Sequence, residues 1–472
     1  MSPEARGSPA PPADHATPPA SPRLDRRLGA ADAAAIVLSN VIGGGIFIVP
    51  VIVAGLVPDP IALLTVWLAG GLLAFAGAGA YAELAAARPR AGAEYVYLRE
   101  AFGPLAGFLT GWTSFVAGFS GAIAAGAVGL AEYVGRFVPA AADSRPFVTV
   151  PLPLVPLEIS PRAIVALTAI AALSAVHIRG LGPGRLVQNV LAGLKVGGLV
   201  VFVALALSMG DPDGAGILER GAPMEAGGWL LALVPVMFAY SGWNAAAYVS
   251  EEIRDPARTV PRALVWGTVS VIAIYLAMNI VYLYAMPIGD LAALEGGVVD
   301  ASAERLFGVE VAGLMAAFSI VSLAASISAM TIAGPRVYFA MARDRLAPRA
   351  IAAVHPRFRT PALAIVAQGV WSGVLVASGT LAELVSYTGF AVVLFTGVAV
   401  AGLFVLRRRD PPARRPFTTW GYPYAPALYV AAALVIVVNE IWRNPGPSLA
   451  GLTIIGVGVP VYGWLRRSRP LE

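Results

Sequence analysis

Asn40 to Pro50, NVIGGGIFIVP, is the stretch on which the reading of this chain turns. It lies inside an apolar segment, Ala31 to about Leu56, long enough to cross a bilayer, which takes roughly 20 residues. Three consecutive glycines, Gly43, Gly44 and Gly45, occupy its middle. Each costs a helix interior roughly 1 kcal/mol relative to alanine. Irregular backbone at membrane depth is tolerated only where it is buried in protein or lines a cavity. A break here leaves amides at the start of one half-helix and carbonyls at the end of the other. Such ends can hold a carboxylate and an ammonium close together. The other reading of the triplet is a small-residue face for helix packing.

Working outward, the 472 residues are 58% hydrophobic and 13% charged, with a mean hydropathy of +0.74, so the chain is an all-α polytopic membrane protein. The formal net charge of +5 is spread over many short loops and implies no nucleic-acid partner. Cysteine is absent, and His15, His177 and His355 are far apart, so no metal or other cofactor is expected. Residues 1–28, rich in Pro, Ala and Ser, read as a disordered cytoplasmic tail.

Hydrophobic runs predict twelve spans, near 31–56, 61–86, 105–136, 163–179, 186–209, 228–252, 262–286, 309–342, 361–378, 381–406, 425–442 and 449–465. With a cytoplasmic N-terminus, 25 of the 33 basic residues fall in cytoplasmic segments, 6 fall outside, and 2 (Lys195 and Arg336) lie within spans. The positive-inside bias therefore puts both termini in the cytoplasm and the protein in the cytoplasmic (inner) membrane. The Pro-rich loop 139–161 is expected to form an extended or hairpin cap outside. Loops 210–228 and 287–308, with Asp211, Asp213, Asp290, Glu295 and Asp300, read as solvated.

The sixth span repeats the theme of the first. Phe238-Ala239-Tyr240-Ser241-Gly242-Trp243-Asn244 places a Ser-Gly break within an apolar run. Breaks at corresponding places in two five-span halves point to an inverted repeat with a binding site near the midplane. The halves share no convincing residue-by-residue identity.

GGGIFIVP, Tyr81–Trp112, Phe238–Leu264 and Gly334–Pro348 (GPRVYFAMARDRLAP), in that order, resemble the amino acid–polyamine–organocation superfamily. Within it the similarity is to the L-type amino acid transporter branch and bacterial alanine–serine–cysteine exchangers. The resemblance implies a leucine-transporter-type fold, a 5+5 inverted repeat with helices 1 and 6 broken and two peripheral helices. The chain then divides into the tail 1–28, a ten-helix core 29–406, and 407–472 carrying helices 11 and 12 with a short cytoplasmic C-terminus. It also implies amino acid transport by alternating access, with no enzymatic activity.

Carried onto this sequence, the resemblance places the substrate carboxylate on the amides of Gly43, Gly44 and Gly45. The ammonium goes to carbonyls near Val41 and Ile42 and to those of Phe238, Ala239 and Ser241. Phe238 matches an outer aromatic gate, Tyr275 a tyrosine near the carboxylate side, and Asn244 a polar residue after the sixth-span break. Many relatives have serine where Gly44 stands. Lys195, the chain's single lysine, lies ten residues past Arg185, or about 15 Å into the membrane. A cation at that depth needs partners. The family's fifth-span lysine occupies the place of a bound sodium ion, so Lys195 is expected to bridge carbonyls around Gly43 to Ser326 or Ser328. Sodium-independent transport follows, by exchange or proton symport. Light chains of the animal branch attach to a heavy subunit through a cysteine, so no disulfide-linked subunit is expected here.

Phe115 to Ala125 and Ser322 to Thr331 are small and uncharged, which favours a neutral, small amino acid over a cationic one or a polyamine. A sensor or receptor with a transporter fold is the alternative from another class. Glu83, Arg88, Arg90, Glu251 and Glu252 read as cytoplasmic anchors or gate ion pairs. His177 is expected at the interface, and neither Glu132 nor Glu383 at functional depth.

Overall fold

The computed structural model describes residues 24–151, 156–209, 221, 223, 227–294, 297–379, 381–411 and 415–467, with backbone alone over 381–388. The chain begins with α1 (Ala30–Val41) and α2 (Gly44–Leu56), bent by 41° across Ile42 and Gly43. Then comes α3 (Pro60–Ala87), whose start follows from its residues: Asp59 accepts the Ala62 amide at 2.7 Å, and Pro60 occupies the first turn. A short α4 (Glu94–Phe102) precedes α5 (Pro104–Thr113), which runs through a π-helical turn, Ser114–Gly118, into α6 (Phe119–Gly135).

The loop after α6 forms a 3-10 turn, Pro139–Ala142, and an antiparallel hairpin of β1 (Val148–Val150) and β2 (Leu157–Ile159), as expected of a hairpin cap. Helices α7 (Pro161–Ile178) and α8 (Leu181–Met209) follow. The second break separates α9 (Gly228–Ala239) from the single turn α10 (Ala245–Tyr248). Beyond it lie α11 (Pro256–Ala285), the short α12 (Ile288–Ala292) and α13 (Val298–Phe307), α14 (Val309–Arg343), α15 (Ala362–Ala377), α16 (Leu381–Arg409), α17 (Tyr424–Arg443) and α18 (Pro445–Arg467).

Among the described residues, nine helices are long and apolar enough to cross a membrane, and the bent pair α1–α2 makes a tenth. The expected sixth and ninth spans correspond to shorter apolar helices, α9 and α15. Helix α11 packs along α3, α6 along α14, and α2 along α9, while α1 is surrounded by α8, α11 and α14. The two breaks therefore lie against other helices. Their freed backbone groups must find partners within the protein, because lipid offers none.

Two expectations need correction. The tail was expected to be disordered through residue 28, but Leu24 and Leu28 are buried, and residues 27–28 run beside Glu252 and Ile253. Two apolar side chains ending an otherwise polar segment suffice to dock it. Loop 287–308 is largely helical, and Asp300, expected in solvent, is 4% exposed beside Arg136 at 3.3 Å. Asp211, Asp213 and Glu295, residues 1–23 and the Glu383 side chain lie outside the described residues.

Candidate functional site

The two breaks meet. A Cβ on Gly45 would lie 2.8 Å from the Cα of Ala239, and one on Gly242 would lie 2.9 Å from the Asn40 carbonyl oxygen. Gly242 also takes φ +100°, a conformation that favours glycine. Hence the glycines on each broken segment let the other approach. Gly43, Gly44 and Gly45 remain half-buried between buried neighbours, and a Cβ on Gly44 would meet nothing within 4 Å. As the start of α2, this turn has amides without intrahelical carbonyl partners, at the positive end of the helix dipole.

The carbonyls at the other side of the break are held by two side chains. Lys195, fully buried on α8, donates through Nζ to the Ser39 carbonyl at 3.1 Å, to the Ile42 carbonyl, and to Ser326 Oγ at 2.8 Å. Ser326 Oγ also lies 3.0 and 3.2 Å from the Ser39 and Ile42 carbonyls. Lys195 Nζ thus ties the last turn of α1, the negative end of that helix's dipole, to α14. The carbonyls it meets are those of Ser39 and Ile42; Gly43 instead approaches Ser326, whose Oγ would be 3.3 Å from its Cβ.

Tyr275 holds the other pair. Its hydroxyl lies 2.9 Å from the Val41 carbonyl and 3.1 Å from the Ala239 carbonyl, and its single proton is shared between them. Tyr275 of α11 thus meets one carbonyl from each of the two breaks. Of the other expected carbonyls, that of Phe238 accepts from the Ser241 amide at 2.9 Å. Ser241 itself is half-buried. The Phe238 ring is 37% exposed and faces Gly389 of α16, whose Cβ would lie 3.2 Å from Phe238 Cδ2.

Ser328 is not a partner of Lys195. It lies two residues beyond Ser326, so its side chain points to another side of α14, where its Oγ meets His177 Nε2 at 2.8 Å. His177 of α7, expected at the interface, is instead 4% exposed, enclosed against α8 and α14. Asn244 turns from the glycine triplet toward the buried carboxyl of Glu94, donating to its Oε1 at 2.6 Å and to the Tyr248 hydroxyl at 3.2 Å. The Tyr81 hydroxyl donates to the same Oε1 at 2.7 Å. Burial raises the Glu94 carboxyl above its ordinary value, against the lowering by these bonds. Sequence reading missed Glu94 because AGAEYVYLRE looks like a charged loop; the tyrosines flanking it were the available signal.

The arginine-rich end of the bundle is closed. The amides of Arg27 and Leu28 donate to the Glu252 carbonyl at 2.9 Å, and the Arg254 amide to that of Leu28. Arg336 grips Glu252 bidentately at 2.7 and 3.0 Å, the two side chains being 2% and 0% exposed. Glu251 joins Arg343 at 2.7 Å and accepts the Leu24 and Ala91 amides. Glu83 pairs with Arg407, Arg88 with Glu100 and Asp410, and Arg90 with Glu100, so the five expected charged residues all join ion pairs here. Glu132 meets Arg162 at 3.2 Å on an exposed surface.

The sequence model of a family described as "Amino acid permease" matches residues 28–461. The chain is 27% identical over 449 residues to the serine/threonine exchanger SteT of Bacillus subtilis (strain 168), covering 94% of this chain and 98% of that protein. It is 29% identical over 458 residues to the human large neutral amino acids transporter small subunit 2, covering 93% and 80%. It is 30% identical over 432 residues to the human b(0,+)-type amino acid transporter 1, covering 90% and 85%.

Proposed function

Because the chain belongs to the amino acid permease family, we propose that it is a sodium-independent secondary transporter of small neutral L-amino acids, working by alternating access. In this reading the twelve spans form a leucine-transporter-type core of two inverted five-helix halves plus two peripheral helices. The protein sits in the cytoplasmic membrane with both termini inside, so the arginine-rich end is the cytoplasmic end. The substrate carboxylate is received by the amides of Gly43, Gly44 and Gly45, its ammonium by the carbonyls around Val41, Ile42 and Ala239, and Phe238 closes over it. Tyr275, bound to two of those carbonyls, yields one of them as the ammonium arrives.

The observation that supports the reading most is Lys195 Nζ between the Ser39 and Ile42 carbonyls and Ser326. A tethered cation at the broken first span supplies the positive charge that a sodium ion would otherwise bring. Neutral substrates are favoured because Phe115–Ala125 and Ser322–Thr331 carry no charge, and two of the three relatives are named as a serine/threonine exchanger and a large neutral amino acids transporter, the third being a b(0,+)-type amino acid transporter. The absence of cysteine argues against a disulfide-linked subunit. Uptake of labelled serine, alanine, leucine and arginine into proteoliposomes, with sodium or choline outside and with empty or amino-acid-loaded lumens, tests the proposal. It predicts sodium-independent uptake of serine and alanine above arginine. Strict sodium dependence, or binding without uptake, overturns it.

A further inference from the structure

We infer that Glu94 is a proton-binding site of the transport cycle, protonated while the arginine-rich end is closed and releasing its proton to water when that end opens. The inference rests on the transport reading and deepens it by naming the proton as a second transported species. Glu94 lies on α4, outside the membrane-spanning helices, yet is 7% exposed. Its Oε1 receives the Tyr81 hydroxyl of α3 and the amide of Asn244, the last residue of the unwound stretch before α10. The Tyr248 hydroxyl, on α10 itself, completes the ring by meeting both Asn244 and the carboxyl.

Among the described residues Glu94 forms no ion pair, because the charges around it are committed elsewhere. On α4, Glu100 is bound by Arg88, and Arg99 by Asp344; Tyr95 also bonds Asp344, and the Tyr97 hydroxyl is buried. On α3, Glu83 is held by Arg407 of α16, where Arg408 and Arg409 are exposed. Helix α5 brings no titratable side chain. On α14, Arg336 binds Glu252, Arg343 binds Glu251, and the Tyr338 hydroxyl binds the Ser114 carbonyl. Tyr429 of α17 bonds Thr396. A buried carboxyl with no cation is more stable with its proton, and burial does raise its affinity for one.

The partners differ in what they belong to. Tyr81 stands on a continuous helix, while Asn244 and Tyr248 stand on the one-turn α10, between the unwound stretch and the Glu252–Arg336 contact that closes this end. Any opening that moves α10 strips two partners from the carboxyl and admits water. Hydration removes the burial penalty, the O–H bond of Glu94 breaks, and the proton passes to water on that side. Once that end has closed and the bundle opens on the other side, the carboxylate takes one proton from water there, along the unwound stretch that ends at Asn244, so each cycle carries one proton across. Opening and proton release are then one event, so a proton gradient drives accumulation of amino acid.

Parent and Glu94→Gln, which keeps an Oε1 acceptor for Tyr81 and Asn244, are compared in proteoliposomes by alanine exchange and by accumulation under an inward proton gradient. The expected result is gradient-driven accumulation in the parent, reduced by about tenfold in Glu94→Gln, with exchange kept within about threefold. Accumulation in the variant equal to that of the parent overturns the proposal, as does a parent that exchanges but ignores the gradient. A parent that neither exchanges nor accumulates overturns the transport reading instead. The proton site is then decided by infrared spectroscopy of the solubilised parent at neutral pH. A protonated-carboxyl band that shifts in Glu94→Asp and vanishes in Glu94→Gln supports it, and absence of the band from the parent overturns it.

Discussion

Gly45 stands against Ala239 so closely that a methyl on the glycine would come within 2.8 Å of the alanine Cα and 3.0 Å of its Cβ. Gly44, one residue earlier, would place the same methyl in open space. Adjacent glycines of one motif thus differ: Gly45 sets the distance between the two broken segments, whereas Gly44 has room for a side chain.

This contrast predicts opposite outcomes for two small substitutions. Gly45→Ala should weaken alanine or serine binding by about tenfold or more, since backbone must shift to accept the methyl. Gly44→Ser should keep binding within about threefold of the parent and can add a hydroxyl donor to the carboxylate. Equilibrium binding of the purified variants checks both, and equal behaviour of the two would place the substrate elsewhere.

Lys195→Ala should lower uptake by at least about tenfold, because the ammonium joining α1 to α14 is gone and buried carbonyls lose a charged donor. Parent uptake should be the same in sodium and in choline. Transport by the alanine variant at the parent's rate would show that the ammonium is only structural.

For Phe238→Ala, turnover should fall by more than substrate affinity, since in the proposed cycle the partly exposed ring closes over a site built from backbone. Steady-state uptake measured beside equilibrium binding separates the two. Parallel losses would make the ring a direct substrate contact.

The Glu252–Arg336 pair should be costly to break and cheap to replace. Arg336→Met alone leaves a buried carboxylate and should destabilise the protein by about 3–5 kcal/mol. Adding Glu252→Leu should recover most of that loss. Thermal unfolding in detergent gives the comparison, and a double variant no more stable than the single would contradict it.

Acid should loosen the same end. Burial works to raise the Glu251 carboxyl, but Arg343 and the amides of Ala91 and Leu24 outweigh it and hold the group below its ordinary value of 4.5. A carboxylate with a depressed folded value contributes stability that is complete above about 4.5 and disappears as pH falls through the folded value. Protease cutting near Leu24 should therefore accelerate below pH 4.5 in the parent. In Glu251→Gln it should be fast already at neutral pH, and a variant as resistant as the parent would refute the role.

The membrane class, the break at Gly43–Gly45 and its counterpart at Ser241–Gly242 were legible from the chain alone. Each is a local property: apolar length sets a span, and glycine in such a span marks freed backbone. That Lys195 needs buried polar partners was legible too, since it stands within an apolar span. Which serine it meets was not, because a two-residue step along α14 separates Ser326 from Ser328 and turns their side chains to different neighbours.

Only the tertiary structure decided what depends on two distant segments meeting. It brought Tyr275 to the carbonyls of Val41 and Ala239, enclosed His177, docked residues 24–28 onto the turn at Glu252, and buried Glu94 among tyrosines. A charged or polar residue in a short loop has the same local sequence whether it faces water or folds inward. Its burial, and with it the cost of its charge, is set by neighbours far away in the chain, as Asn244 is from Glu94, and those are known only once the chain has packed.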